Sequence, residues 1–232
     1  MLMSLLKGVI SATPNPLKIL LILIEEMKSS DWEGIDGILS ICPYYNKPSQ
    51  EGLYQHFKAI AEASPLPLVL YNVPGRTGVN MKAATTCRIA KDFPNIVGIK
   101  EASGNISQIA HLAAIGQGVV DIYSGNDDQI VPILALGGVG VISVLSNVAP
   151  RQTHEICQKF FDGDVAGSRQ MQLDAMDLCN ALFCEVNPIP VKYAMNVLGW
   201  NAGECRLPLV EPSDAHKAKI EQALQAAGLI KE

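Results

Sequence analysis

Asn95-Ile96-Val97-Gly98-Ile99-Lys100-Glu101-Ala102-Ser103-Gly104-Asn105 is the stretch whose reading decides the fold. Residues 95–100 form a short run that is apolar on both faces and ends in a lysine, and residues 105–115 carry the spacing of an amphipathic helix. A strand without a polar face, followed directly by a helix, belongs in a parallel sheet with helices outside it. Working outward, the same unit recurs. Upstream, a strand over 66–71 precedes a helix over 81–92, and a strand over 37–42 precedes a loop at 43–48 and a helix over 50–63. Downstream, strands over 119–124 and 139–144 are followed by helices over 127–136 and 150–161.

This alternation predicts an α/β chain of the (β/α)8 barrel class. No Gly-x-Gly-x-x-Gly follows the first strand and no phosphate-binding loop occurs, so nothing favours a nucleotide-binding sheet. After Phe161 the rhythm stops. Helices over 165–181, 190–198 and 214–227 predict a helical C-terminal subdomain at 163–232 behind a barrel at 1–162. Ahead of residue 37 the sequence offers one further strand, near 6–11, and one helix, near 17–28. That makes six strands where a closed barrel has eight, so the expectation is a barrel lacking its first strands.

The chain has 232 residues and a formal charge of −5, with lysines and arginines scattered singly or in pairs. Without a basic stripe, nucleic acid is not expected as a partner. Ile19-Leu20-Leu21-Ile22-Leu23-Ile24 is far shorter than the roughly 20 residues of a membrane span, and Glu25 and Glu26 follow with no small-residue cleavage site. It reads as a buried helix in a cytoplasmic protein that does not engage membranes. The six cysteines form no Cys-x-x-Cys pair and read as reduced thiols. His56, His111, His154 and His216 fall in helical stretches away from strand ends and receive no catalytic role. Asp127 and Asp128 read as capping groups at a helix start.

Barrel chemistry sits at the C-terminal ends of strands. Those positions hold Tyr44 and Tyr45, Tyr71, Lys100, Asn126 and the backbone near Ile142. A lysine at such a strand end has its stem against apolar surface and its amine partly dry, which favours the neutral, nucleophilic form. Tyr71 closes the adjacent strand, about 4.8 Å away, and a phenol beside an imine can shuttle protons. Arg76 follows in Pro74-Gly75-Arg76-Thr77-Gly78, a rigid loop suited to a guanidinium that binds a carboxylate. Each of the three also has a structural explanation: a solvent-seeking lysine or one paired with Glu101, an aromatic plug, and a surface arginine. Their placement on consecutive strand ends favours the functional one.

Pro43-Tyr44-Tyr45-Asn46-Lys47-Pro48, Leu70 to Gly78, Gly98-Ile99-Lys100-Glu101-Ala102-Ser103-Gly104, Gly140-Val141-Ile142-Ser143-Val144, Asn187-Pro188-Ile189-Pro190-Val191-Lys192 and Arg206-Leu207-Pro208-Leu209 resemble the dihydrodipicolinate synthase family. The resemblance runs in order from about Trp32 to the C-terminus. It implies a lyase of lysine and diaminopimelate biosynthesis that condenses pyruvate with aspartate semialdehyde through a lysine Schiff base, without a metal or organic cofactor, in a homo-oligomer (dimer or tetramer). It further implies that Lys100 forms the imine, Tyr71 relays protons, and Tyr45 reaches a neighbouring subunit's site. Arg76 then binds the semialdehyde carboxylate, and the Ile142 carbonyl faces the pyruvate adduct. Asn126 stands where the family has an acid. The family's Gly-Thr-Thr-Gly-Glu motif occurs nowhere in the chain, and Thr13 does not replace it. Without those threonines the reading expects weak turnover. The rivals are other pyruvate-lysine aldolases, disfavoured by Arg76, and a non-catalytic remnant.

Overall fold

The computed structural model describes residues 19–231. In chain order its elements are α1 (Ile19–Ser29), β1 (Ile38–Ile41), α2 (Gln50–Ala63), β2 (Leu68–Asn72), α3 (Pro74–Thr77), α4 (Ala83–Asp92), β3 (Ile96–Glu101), α5 (Ile106–Gly116), β4 (Asp121–Ser124), α6 (Ile130–Ala135), β5 (Gly140–Val141) and α7 (Pro150–Phe161). Helices α8 (Val165–Asp174), α9 (Met176–Leu182), α10 (Ile189–Val197) and α11 (Asp214–Ala226) follow. The strands add in chain order, β1-β2-β3-β4-β5, and β1 to β3 pair in parallel. The strand expected near 6–11 lies outside the described residues.

The chain divides into two compact units, one of residues up to Tyr123 with Leu136–Val139, the other of Ser124–Ala135 and Gly140 onward. In the first, α2 shows how sequence becomes packing. Ser49 caps it, its hydroxyl accepting from Gly52 N at 3.2 Å, and Leu53, Phe57, Ile60 and Ala61 recur on one buried face. Leu68, Leu70, Ile89, Ile96 and Ile99 of the same unit are likewise buried, and α2 packs on α4. Each such side chain contributes about 1.5–3 kcal/mol on leaving water.

Strand β3 departs from plain alternation. Leu68 pairs with Ile96, but Val69 pairs with Gly98, so Val97 is an extra residue without a cross-strand partner. This bulge, unusual in a parallel pair, lets Ile96 and Ile99 both reach the helix-covered side at 2% and 0% exposure, while Val97 stays 43% exposed. Downstream of it Leu70, Tyr71 and Asn72 stand opposite Ile99, Lys100 and Glu101.

Four expectations need correction. The apolar run at 19–24 is helical, but its described side chains, Leu20 to Ile24, are not buried: Leu21 is exposed, and Met27 is the buried one among the described side chains of α1. Consecutive apolar residues point all round a helix, and α1 packs on α2 along one side. The single helix expected over 165–181 breaks at Ala175. Gln172 ties α8 down, accepting from Val131 N and donating to the Asp127 carbonyl, while Leu178, Cys179 and Leu182 of α9 join Val191, Ile220 and Leu224 in a separate core. The last strand is only Gly140–Val141, because the amides of Val144 and Leu145 turn to the Asp127 carboxylate (3.0 and 2.8 Å). Asp127 therefore caps that distant turn and is buried, where the sequence suggested a cap for its own helix.

Candidate active site

The first unit brings three strand ends together. Ile41 at the end of β1 pairs with Tyr71, and Cys42 N donates to the Tyr71 carbonyl at 3.0 Å. Tyr71 pairs in turn with Lys100, whose Nζ lies 4.5 Å from the centre of the Tyr71 ring. Both side chains are half-buried, so each keeps a path to a small substrate. Burial pushes the Tyr71 phenol above its ordinary value, and the Arg76 cation partly opposes this. That opposition puts Arg76 within electrostatic reach of the pair.

Arg76 sits on α3, a single helical turn where a loop was expected. Pro74 starts the turn with its preset φ, and Gly78 ends it at φ 71, in the left-handed region that suits glycine. Thr77 anchors it from below, its hydroxyl donating to the Val73 and Val79 carbonyls. Arg76 itself is exposed. The loop after β1 packs against this turn, for a Cβ on Gly78 would come within 2.8 Å of Lys47 Cε. On that loop Tyr45 is held at φ 69 with 78% of its surface exposed.

The opposite face of the same ladder carries Asn72, which the sequence reading passed over, and Glu101, which it weighed only as an ion-pair partner of Lys100. Asn72 and Glu101, one residue beyond Tyr71 and Lys100, are buried at 0% and 1% exposure. Asn72 Nδ2 donates to both Glu101 carboxylate oxygens (3.2 and 3.1 Å) and to Asn80 Oδ1, and Asn72 Oδ1 accepts from Met81 N at 3.0 Å. Ser103 N donates to Glu101 Oε1 at 2.8 Å. Burial pushes the Glu101 carboxyl up, opposed by hydrogen bonds from Ser103, Asn72 and Gln108. The Cys42 thiol, against Asn72 Oδ1, is pushed to about 12 by burial and by the Glu101 charge. A signal was available: Asn72 shares the parity of Leu68 and Leu70, so an amide there belongs to the covered face.

Ile142 and Asn126 belong to the second unit. Ile142 N donates to the Ser124 carbonyl at 2.9 Å, and Ser124 Oγ bonds both the carbonyl and the amide of Asn126.

Residues 24–227 match the family model described as the dihydrodipicolinate synthetase family. The chain belongs to this family. It is 53% identical over 208 residues to the 4-hydroxy-tetrahydrodipicolinate synthase of Clostridium perfringens, covering 90% of this chain and 71% of that one. The solved dihydrodipicolinate synthase of Thermotoga maritima matches with a TM-score of 0.86 at 45% identity, over 93% of this chain and 73% of its own. That of Acinetobacter baumannii, solved in complex with pyruvate, matches at 0.85 and 44% identity, over 89% and 71%. With the alternation of strands and helices, these likenesses place the chain in the α/β barrel class read from the sequence.

Proposed function

We propose that this family member is a lyase condensing pyruvate with L-aspartate 4-semialdehyde to 4-hydroxy-tetrahydrodipicolinate, in lysine and diaminopimelate biosynthesis, through an imine on Lys100. The observation that carries this is the registered Tyr71–Lys100 pair, with Nζ 4.5 Å from the ring, in a chain 53% identical to an enzyme of that name. Lys100 Nζ adds to the keto carbon of pyruvate, and loss of water gives the imine. The pyruvate methyl then yields a proton, and the enamine carbon attacks the aldehyde. Closure of the semialdehyde amine onto the imine carbon releases Lys100. Tyr71 starts as a proton donor in this scheme, since burial keeps its phenol protonated at neutral pH. Arg76, on a turn beside that phenol, binds the semialdehyde carboxylate.

Tyr45 is assigned to the site of a neighbouring copy in a homo-oligomer. Its exposure and left-handed backbone support this, because such strain in a bulky residue persists where it serves a role. The Ile142 carbonyl is assigned to the pyruvate adduct. Among the described residues no helix is long and apolar enough to cross a membrane, and a cytoplasmic location fits the reduced cysteines.

The test is trapping. Pyruvate with borohydride is expected to add one pyruvate-derived mass to the peptide bearing Lys100, and Lys100→Met to abolish it. A mass elsewhere, with Lys100 unmodified, overturns the assignment.

A further inference from the structure

The bulge at Val97 has a consequence for the chemistry on the other face of the ladder. Had the pairing of Leu68 with Ile96 continued without it, Tyr71 would stand opposite Ile99, and Asn72 opposite Lys100. One extra residue in β3 therefore brings the amine beside the phenol. It also reverses which residues face the helices, and a slip of one residue reverses them all. Something must hold the shifted register beyond the bulge. Val69 meets a glycine there, which offers no side chain to lock it, and the Leu70–Ile99 contact is apolar and non-directional.

The directional contact is the next one. Asn72 and Glu101 are cross-strand partners in the shifted register, both buried, and their side chains hydrogen-bond to each other. The groups hydrogen-bonded to Glu101 are donors, Asn72 Nδ2 and Ser103 N. An acceptor-only carboxylate matches those donors, and a one-residue slip of β3 on β2 would part it from the Asn72 amide across the ladder. Asn72 is fixed in turn by Met81 N and Asn80, so its orientation is set from outside the ladder.

Resting on the lyase reading above, we infer that Asn72 and Glu101 are positioning residues for the reaction: their buried pair pins the register created by the bulge and so holds the Lys100 amine against Tyr71. Neither touches the substrate. They act by fixing the two residues that do, each being the chain neighbour of one of them.

Glu101→Gln is the incisive change, because it replaces a carboxylate oxygen by an NH₂ among donors while keeping the shape. The readout is the rate constant of borohydride-trapped imine formation at saturating pyruvate, with the pyruvate concentration at half-saturation. Misplacement of a reacting group by a fraction of an ångström to an ångström costs roughly 10- to 100-fold, and that fall is expected in the rate constant, with half-saturation changed less than about threefold. Asn72→Asp, which sets a second carboxylate against the first, is expected to do the same. The double variant should be within about threefold of the worse single one, since both remove one contact. Glu101→Asp keeps the acceptor character and is the variant to use if Glu101→Gln does not fold; a fall of roughly 3- to 10-fold is expected from its withdrawn carboxylate. Leu53→Ala, an apolar truncation on α2, should lose stability yet keep the trapping rate within about threefold. Glu101 variants that unfold more easily but trap pyruvate as fast as the parent overturn the positioning role and leave the lyase reading standing. A parent chain that is not trapped at Lys100 overturns that reading, and the positioning role with it.

Discussion

The two faces of the β2–β3 ladder are built from adjacent residues and are opposite in character. On one, Tyr71 and Lys100 are half-buried, with the amine 4.5 Å from the centre of the ring. On the other, Asn72 and Glu101 are buried, linked to each other and braced by Met81, Asn80 and Ser103. The difference follows from what each face must do. A group that forms and breaks a bond to substrate must stay reachable from solvent. A group that holds strand registration must be saturated, because an unmatched buried polar atom costs about 1–3 kcal/mol.

This contrast can be broken from the open face outward. Arg76 has the largest expected effect after Lys100 itself. In the proposed role, Arg76→Ala removes a charged hydrogen bond to the semialdehyde carboxylate, worth about 1.5–3 kcal/mol. Since Arg76 is exposed, kcat/KM for aspartate semialdehyde is expected to fall roughly 10- to 100-fold with imine trapping unchanged. Equal losses in both assays would make Arg76 a structural residue of α3.

The covered side is probed by His56 of α2, which packs edge-on to Phe57 and whose imidazole burial depresses from 6.5 to about 4. The folded-state value lies below the unfolded one, so the unfolded chain takes up the proton first as pH falls. Stability is therefore full above about pH 6.5, declines through the window down to about 4, and levels below it, for a loss on the order of 3 kcal/mol. Urea midpoints across this window should show that slope, and His56→Phe should flatten it. An unchanged slope in the variant would assign the pH dependence to other groups.

The smallest effect sharpens the comparison at its centre. Gly98 lies between the bulge and Lys100, and a Cβ there would come within 3.1 Å of the Tyr123 ring and 3.2 Å of the Asp121 carbonyl. The ring can shift by a few tenths of an ångström, whereas the carbonyl belongs to neighbouring backbone. Gly98→Ala is expected to cost about 1 kcal/mol, read as a modest fall in the urea midpoint. A stabilised variant would mean that β4 yields there and that close packing at Gly98 does not constrain the site.

Much of this was legible in the chain because it depends on local periodicity. Helix α2 begins and ends where the apolar spacing and Ser49 place it, β1 and β4 fall within the expected runs, and β2 and β3 each run one residue past theirs, to Asn72 and Glu101, which leaves Lys100 beside Tyr71 one residue from the strand ends. The exceptions share one cause. The bulge at Val97 arises because Ile96 and Ile99 both gain by facing the helices, and Asp127 caps a turn seventeen residues on because two amides there need an acceptor. Helix α8 stops at Ala175 because Gln172 and Leu178 are drawn to different neighbours. By itself, then, the sequence determined the alternation of strands and helices and, to within a residue, where β1 to β4 end, since both depend on side chains adjacent along the chain. The tertiary structure decided the register of β3 on β2, and with it the meeting of Lys100 and Tyr71, because register is set by partners that a linear pattern does not contain.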